Sequence, residues 1–362
     1  MQAKAPGRVS RVAACSMAAI CLVLAACGGD GTGASTGPTG STSASTGSGA
    51  RNDGFPVTVQ NCGRTLTFDK PPSRAVLPYH PMAEIFVGLG LADRAIGRVG
   101  FSGGIKEAPI LPEQAADFAR IPVVSDSFFP PPKEQMLALR PDFLFAYGDF
   151  DYGGEHQGAE GLATLDELGT AGIQVYTVVC PDETGDFTNE NLDATYRTIL
   201  DLGKTFGVSD RAQRRVTEMK AQIADVAQKV RGQPVAKVIA YYSGQGPLSL
   251  NGGRATLITQ IIEAAGGENV FADTNKYTFD ASLETVASKQ VDAFLIFASS
   301  DEPTDAPDGT KEAQFLFSAF PNMQASKDRR AIVTDYTYTA PGWRTAQTVE
   351  DFARQLHPDA FK

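Results

Sequence analysis

SDRAQRRVTEMKAQIADVAQKV, residues 209–230, is the stretch on which the fold turns. Within it Val216, Met219, Ile223, Val226 and Val230 recur at spacings of three and four. That period lays apolar side chains along one face of an α-helix and leaves the charged residues on the other. Ser209 is placed to cap the first turn through its hydroxyl. Gly232 and Pro234 stop the helix, because glycine accepts the left-handed turn at a helix end and proline has no N–H with which to continue. Helical character extends back to Glu190, interrupted or bent near Gly207, so the sequence predicts a rod over 189–232.

On both sides of the rod, short apolar runs alternate with helical stretches, the pattern of α/β layers over a largely parallel sheet. Before it the sequence predicts a hairpin at 56–68 turning at 61–64, and strands at 75–77, 95–99, 143–147 and 175–178. Helices are expected between them near 82–91, 133–139 and 161–171. After it come strands at 235–241, 293–297 and 331–334, with helices near 256–265, 282–288 and 348–356. Residues 56–188 and 233–362 thus read as two lobes flanking the rod. Ligands of such lobes bind outside the carboxyl ends of the strands, so the face between the lobes is the expected cleft.

The amino terminus has a different character. Lys4, Arg8 and Arg11 precede an apolar run at 12–26 that is too short and too alanine-rich for a comfortable membrane span, and the run ends in LAAC at 24–27. That ending resembles a bacterial lipobox, which implies cleavage before Cys27 and a lipid on its thiol. Residues 28–55 are mostly Gly, Ser, Thr, Ala and Asp and read as a flexible tether. Of five cysteines, Cys15 and Cys21 leave with the signal and Cys27 is lipidated, so Cys62 and Cys180 remain. An even remainder in an oxidising compartment favours a disulfide, with two buried free thiols as the alternative. The formal net charge of −10 argues against nucleic acid as partner, since phosphate binding needs a concentrated basic face.

Five segments carry a resemblance: RAVLPYHPMAEIFVGLGLADRAIG at 74–97, EQMLALRPDFLFA at 134–146, LDELGTAGIQVY at 165–176, ITQIIEAAGGENVFAD at 258–273 and SLETVASKQVDAFLI at 282–296. Together, behind a lipobox and tether, they are similar to class III solute-binding proteins, the group that carries ferric siderophores, haem and cobalamin to ABC importers. The resemblance implies two Rossmann-like lobes joined by a single long backbone helix, small closure on ligand, and a monomer working with a permease and its ATPase at the outer face of the cell membrane. NCGRTLTF at 61–68 and the cysteine of CPDETG at 180–185 resemble an actinobacterial branch and imply the Cys62–Cys180 bridge. Glu84 and Glu263, one in each lobe, match the family's permease-docking glutamates.

The strand-end loops are rich in aromatics: Tyr79, Phe101, Phe128, Phe129, Tyr147 and Tyr152 before the rod, and Tyr241, Tyr242, Tyr277, Tyr336, Tyr338 and Trp343 after it. Aromatic faces offer a bulky ligand rigid contact area. Tyr79, Phe101, Phe128, Tyr147, Tyr241, Tyr277 and Trp343 are the expected cleft residues, with Arg98 and Arg344 as guanidinium donors to iron-bound oxygens. The three histidines, His80, His156 and His357, are too few for a bare-metal site, so no resident metal or cofactor is expected and any metal arrives already chelated. The acidic surplus favours a neutral or cationic chelate over a trianionic one. Haem on Tyr79, Tyr147 or Tyr241, cobalamin, and a receptor without transport are the alternatives.

An enzyme is not indicated. GKT at 203–205 lacks the earlier glycine of a phosphate loop, Thr198 standing there, and YSGQG places Tyr241 two residues before Ser243, where a nucleophile elbow has glycine.

Overall fold

In the computed structural model, residues 54–362 are described except for 101–109, 128, 154–160, 181–186, 188–189, 243–247, 275, 299–309 and the side chains of 298 and 336. The expected signal segment with Cys27, most of the tether, Phe101 and Phe128 lie outside the described residues.

β1 (Val57–Asn61) and β2 (Arg64–Phe68) pair antiparallel with Asn61 opposite Arg64. The turn between them holds Cys62 and Gly63 at φ of 47° and 72°, the mirror-image turn whose twist matches that of the flanking strands. Strict alternation buries Val59, Leu66 and Phe68 and exposes Thr58, Thr65 and Thr67. Cys62 and Cys180 are disulfide-bonded with Cα atoms 5.4 Å apart. Beside the bridge, the Asn61 amide donates to the Thr177 carbonyl at 2.7 Å and accepts from its N–H at 2.8 Å, which fixes the hairpin to the lobe.

The first lobe continues through β3 (Ala75–Leu77), α1 (His80–Gly88), β4 (Ala95–Val99), α2 (Ala115–Ala119) and β5 (Val123–Ser125). It ends with α3 (Lys133–Leu139), β6 (Phe143–Ala146), α4 (Leu165–Thr170) and β7 (Gln174–Thr177). The five strands form one parallel sheet in the order β5-β4-β3-β6-β7. β3 and β6 are buried on both faces, and accordingly read AVL and FLFA without alternation.

α5 (Leu192–Thr205) and α6 (Ser209–Lys229) follow. The rod is shorter than the sequence predicts. Gly207 sits at φ +68° and breaks the helix, and α5 folds back on α6 so that Gly203 meets the Ala212 methyl, where a Cβ on Gly203 would find no room. Ser209 is the first residue of α6, and Val208 stands at the cap position. The continuous rod is therefore α6 alone, 21 residues and about 31 Å long. Its apolar stripe serves both lobes in turn: Ala212, Val216 and Met219 join the core of the first, Val226 that of the second, and Ile223 packs against both. An α-helix carries its own hydrogen bonds, so a rod anchored at both ends holds the lobes at a set spacing.

The second lobe comprises β8 (Ala236–Tyr242), β9 (Ser249–Asn251), α7 (Leu257–Ala264), β10 (Gly267–Asn269), β11 (Thr278–Asp280) and α8 (Leu283–Ala287). After these come β12 (Ala293–Ala298), α9 (Lys311–Ala319), α10 (Gln324–Lys327), β13 (Ala331–Asp335) and α11 (Thr345–Leu356). The sheet runs β11-β9-β8-β12-β13, with β10 also parallel to β8; β9 and β11 are antiparallel additions at one edge. Separate apolar layers cover the two faces of this sheet, Val238, Ala240 and Tyr242 facing one and Ile239 and Tyr241 the other. The two lobes and the rod pack as one unit, Arg51–Lys362.

Candidate functional site

Each sheet has one place where the chain changes direction across it. In the first lobe this is between β3 and β6, and in the second between β8 and β12. Loops diverge at such a switch point and leave a crevice outside the carboxyl ends of the strands. The side chains found there are aromatic in both lobes. Tyr79, just past β3, and Tyr147, just past β6, have ring centroids 4.9 Å apart; Tyr242, the last residue of β8, and Phe297 of β12 are 4.8 Å apart.

A run of rings joins the two pairs. Tyr147 meets Phe150 at 5.5 Å, Phe150 meets Phe187 edge-on at 6.3 Å, Phe187 meets Tyr277 edge-on at 6.3 Å, and Tyr277 lies 6.5 Å from Tyr242. Tyr277 is held in place by its own carbonyl, which accepts from the Asn251 side chain at 2.7 Å and from the Gly252 N–H. Tyr147 is fixed by Asp151, whose carboxylate accepts from the Tyr147 N–H at 2.6 Å.

At the middle of the run stands Glu190, fully buried just before α5. Tyr147 donates its hydroxyl to Glu190 Oε2 at 2.8 Å, the Tyr277 hydroxyl also bonds the carboxyl, and Tyr242 donates to the Tyr277 oxygen at 3.2 Å. Burial pushes the Glu190 pKa up to about 8, against the opposing pull of the two hydroxyls. Burial likewise holds the Tyr147 and Tyr277 hydroxyls well above their usual range, with the Glu190 charge adding to it. Asp151, buried one layer below, is raised to about 7, also by burial. The carboxyl of Glu190 is thus mostly protonated at neutral pH and bridges a tyrosine of each lobe.

A second bridge between the lobes has the opposite electrostatic character. Glu84 on α1 is 3% exposed and receives a forked ion pair from Arg344, whose Nε lies 2.9 and 3.0 Å from the two carboxylate oxygens and whose terminal nitrogen also bonds Oε1. His80 Nε2 is 3.5 Å from the same carboxylate. Arg344 also lies over the Tyr338 ring at 4.6 Å. Next to it, Trp343 packs flat on Gly88 of α1, where a Cβ would come within 2.5 Å of the indole, and its outer face carries the Arg215 guanidinium at 4.6 Å.

This geometry corrects several expectations. Glu84 is not a surface glutamate available to a permease; it is closed off by a partner 260 residues away. Arg344 spends its guanidinium on that carboxylate instead of facing a ligand. Trp343 is a packing residue between α1 and α6. Tyr241 points to the far face of β8, toward Phe315 of α9 at 6.5 Å, because successive side chains on a strand alternate; its neighbour Tyr242 takes the cleft position. Arg98 is buried over the Phe118 ring at 4.3 Å, and Phe118 in turn contacts His80 at 5.2 Å, which places Arg98 beside the Glu84 bridge. Tyr79, Tyr147 and Tyr277 are brought together. Glu263 is exposed near the end of α7. Glu190, Phe150, Phe187 and Phe297 were not singled out by the sequence. The approach of a lone acid before a helix start and a cluster of aromatics just past strand ends was the available signal.

Comparison with known proteins agrees with this architecture. Residues 79–335 match the profile of the periplasmic binding protein family. The chain is 22% identical over 313 residues to an uncharacterized ABC transporter substrate-binding lipoprotein, YvrC, of Bacillus subtilis, covering 85% of this chain and 88% of that one. It is 25% identical over 232 residues to a vitamin B12-binding protein of Pectobacterium carotovorum, 64% of this chain and 73% of the relative. The fold superposes on the structure of an ABC-type Fe3+-hydroxamate transport system protein from Saccharomonospora viridis with a TM-score of 0.65 at 23% identity, covering 84% of this chain and all of that one. With two α/β lobes, a connecting rod and a family match over most of its length, the chain belongs to the periplasmic binding protein family and is a substrate-binding protein of the ABC-importer type, not an enzyme.

Proposed function

We propose that the protein captures a ferric siderophore between its lobes and delivers it to an importer's permease and ATPase, anchored at the outer face of the membrane by a lipid on Cys27. The observation that carries this reading is the run of rings from Tyr79 to Phe297, which passes from one lobe to the other at both switch points. Ring faces give a bulky chelate rigid contact area, and tyrosine hydroxyls orient it. The net charge of −10 favours a neutral or cationic trihydroxamate over a trianionic catecholate. The likeness to the Fe3+-hydroxamate protein supports this choice.

Cobalamin is the second reading, favoured by the B12-binding relative. Haem needs an axial ligand; of Tyr79, Tyr147 and Tyr241, the Tyr147 hydroxyl is already bonded to Glu190 and Tyr241 faces the other side of its sheet, which leaves Tyr79 as the candidate. The exposed Glu263 remains the expected docking carboxylate of the second lobe.

Calorimetric titration of the mature domain with ferrioxamine B, a ferric catecholate, haem and cyanocobalamin tests the ligand. Binding of the trihydroxamate is expected; binding of haem or cobalamin alone would replace the siderophore reading, and binding of none would remove it. The substitution Cys27→Ala is expected to release the protein from the membrane fraction, and its retention there would contradict the anchor.

A further inference from the structure

Glu190 is the member of the aromatic run that packing does not explain. A fully buried carboxyl is costly, and proteins offset that cost with a cation or a complete set of hydrogen bonds. Glu190 has neither. Oε2 accepts from Tyr147, while Oε1 makes no hydrogen bond among the described residues. Among the described residues, the groups that act on the carboxyl are the Tyr147 and Tyr277 hydroxyls together with burial, and none of them is basic. The Glu84 bridge shows what the same fold does where a buried carboxylate serves only to join the lobes: it supplies an arginine.

The surroundings of Glu190 suit a cation. Tyr147 and Tyr277 meet the carboxyl through their hydroxyls, Tyr242 bonds the Tyr277 hydroxyl, and Phe150 and Phe187 continue the run of rings between Tyr147 and Tyr277; aromatic faces attract ammonium groups, most strongly when desolvated. Phe150 and Tyr277 are the half-buried rings of this group, so the way in from solvent lies past them.

We infer that Glu190 and the rings around it form a subsite for a positively charged group of the ligand, so that the protein selects chelates bearing an ammonium arm. The inference rests on the siderophore reading and narrows it. When the ammonium group enters, the Glu190 carboxyl gives its proton to solvent and the carboxylate pairs with the cation. The ligand keeps its own proton. The titratable groups that interact with Glu190 are Tyr147, Tyr242 and Tyr277, whose hydroxyls burial holds above their usual range and so protonated near neutral pH, and the exchanged proton is that of Glu190.

Two ferric trihydroxamates separate the charge from the chelate. Ferrioxamine B carries a free ammonium arm, and ferrioxamine E is a ring without one. Titration of the full mature domain at pH 7 is expected to show ferrioxamine B binding about tenfold more tightly or better. Binding of B should release close to one proton, read as a dependence of the heat on the ionisation enthalpy of the buffer, and binding of E none. Above pH 9 the release should vanish, because the carboxyl is already ionised. Glu190→Gln keeps the shape and neutrality of the acid, and should bring the two affinities together and abolish the proton release. Equal affinities in the unsubstituted protein, or a preference and proton release that survive in Glu190→Gln, would overturn the inference and leave the siderophore reading standing. Failure of both chelates to bind would overturn the reading itself and the inference with it.

Discussion

The lobes are joined by two buried carboxylates that solve the same problem in opposite ways. Glu84 is matched by the Arg344 guanidinium across the seam, with His80 and the Tyr338 ring around the pair. Glu190 gives up its charge, held protonated by burial between the hydroxyls of Tyr147 and Tyr277. The first bridge is complete within the protein. The second has an oxygen without a partner among the described residues and stands at the run of rings, which is the ground for proposing it as the side of the seam where a ligand is received. Burial alone therefore does not distinguish a structural carboxylate from a binding one; the distinction lies in what satisfies it.

The comparison breaks most readily at Arg344. Arg344→Ala leaves the Glu84 carboxylate buried without its cation, and the loss is expected to reach about 3–5 kcal/mol, a fall in melting temperature of roughly 10 °C. Glu190→Gln, which replaces a neutral group by a neutral group, should cost under about 1 kcal/mol at pH 7. Similar losses from the two substitutions in thermal denaturation would show that the bridges do not differ in kind.

A smaller effect concerns pH. The folded pKa values of Glu190 and Asp151, about 8 and about 7, lie above those of the same carboxyls in the unfolded chain. Both groups thus bind their protons more tightly when folded. Their contribution to stability is full in acid below the unfolded values, and is lost as pH rises through 7 and 8. Urea denaturation is expected to show a stability lower at pH 9 than at pH 5 by on the order of several kcal/mol, and Glu190→Gln should flatten the part of the slope near pH 8. A profile unchanged by that substitution would mean that Glu190 is ionised in the folded protein.

Much of the fold was legible because local pattern and tertiary role coincide. The stripe Val216, Met219, Ile223, Val226 is the surface that α6 buries in the two cores. The unalternating runs AVL and FLFA are the central strands of the first sheet. The short elements α2, β5, β9, β10, β11 and α10 were missed, since three to five residues carry too little period to read, and the nine-residue α9 was missed as well. The site was legible only in part. Tyr79, Tyr147 and Tyr277 follow from aromatics at strand ends, but choosing Tyr241 over Tyr242 requires the parity of β8, and one residue reverses the face. Glu84 reads in the sequence as a docking carboxylate and Arg344 as a ligand donor, and only the approach of segments 260 residues apart makes them a pair. Glu190 was hidden for the same reason: its tyrosine partners come from β6 and the β10–β11 loop, on opposite sides of it in sequence.

The central claim is that the crevice between the two switch points receives the chelate. A crystal structure of the mature domain with ferrioxamine B tests it most directly: the account predicts iron between the lobes, with the chelate against Tyr147 and Tyr277 and its ammonium group within hydrogen-bond reach of Glu190. A chelate bound instead at the surface cavity of about 500 Å³ lined by Gln290, Asp292, Phe320 and Lys327, beside the amino-terminal end of β12, would contradict it.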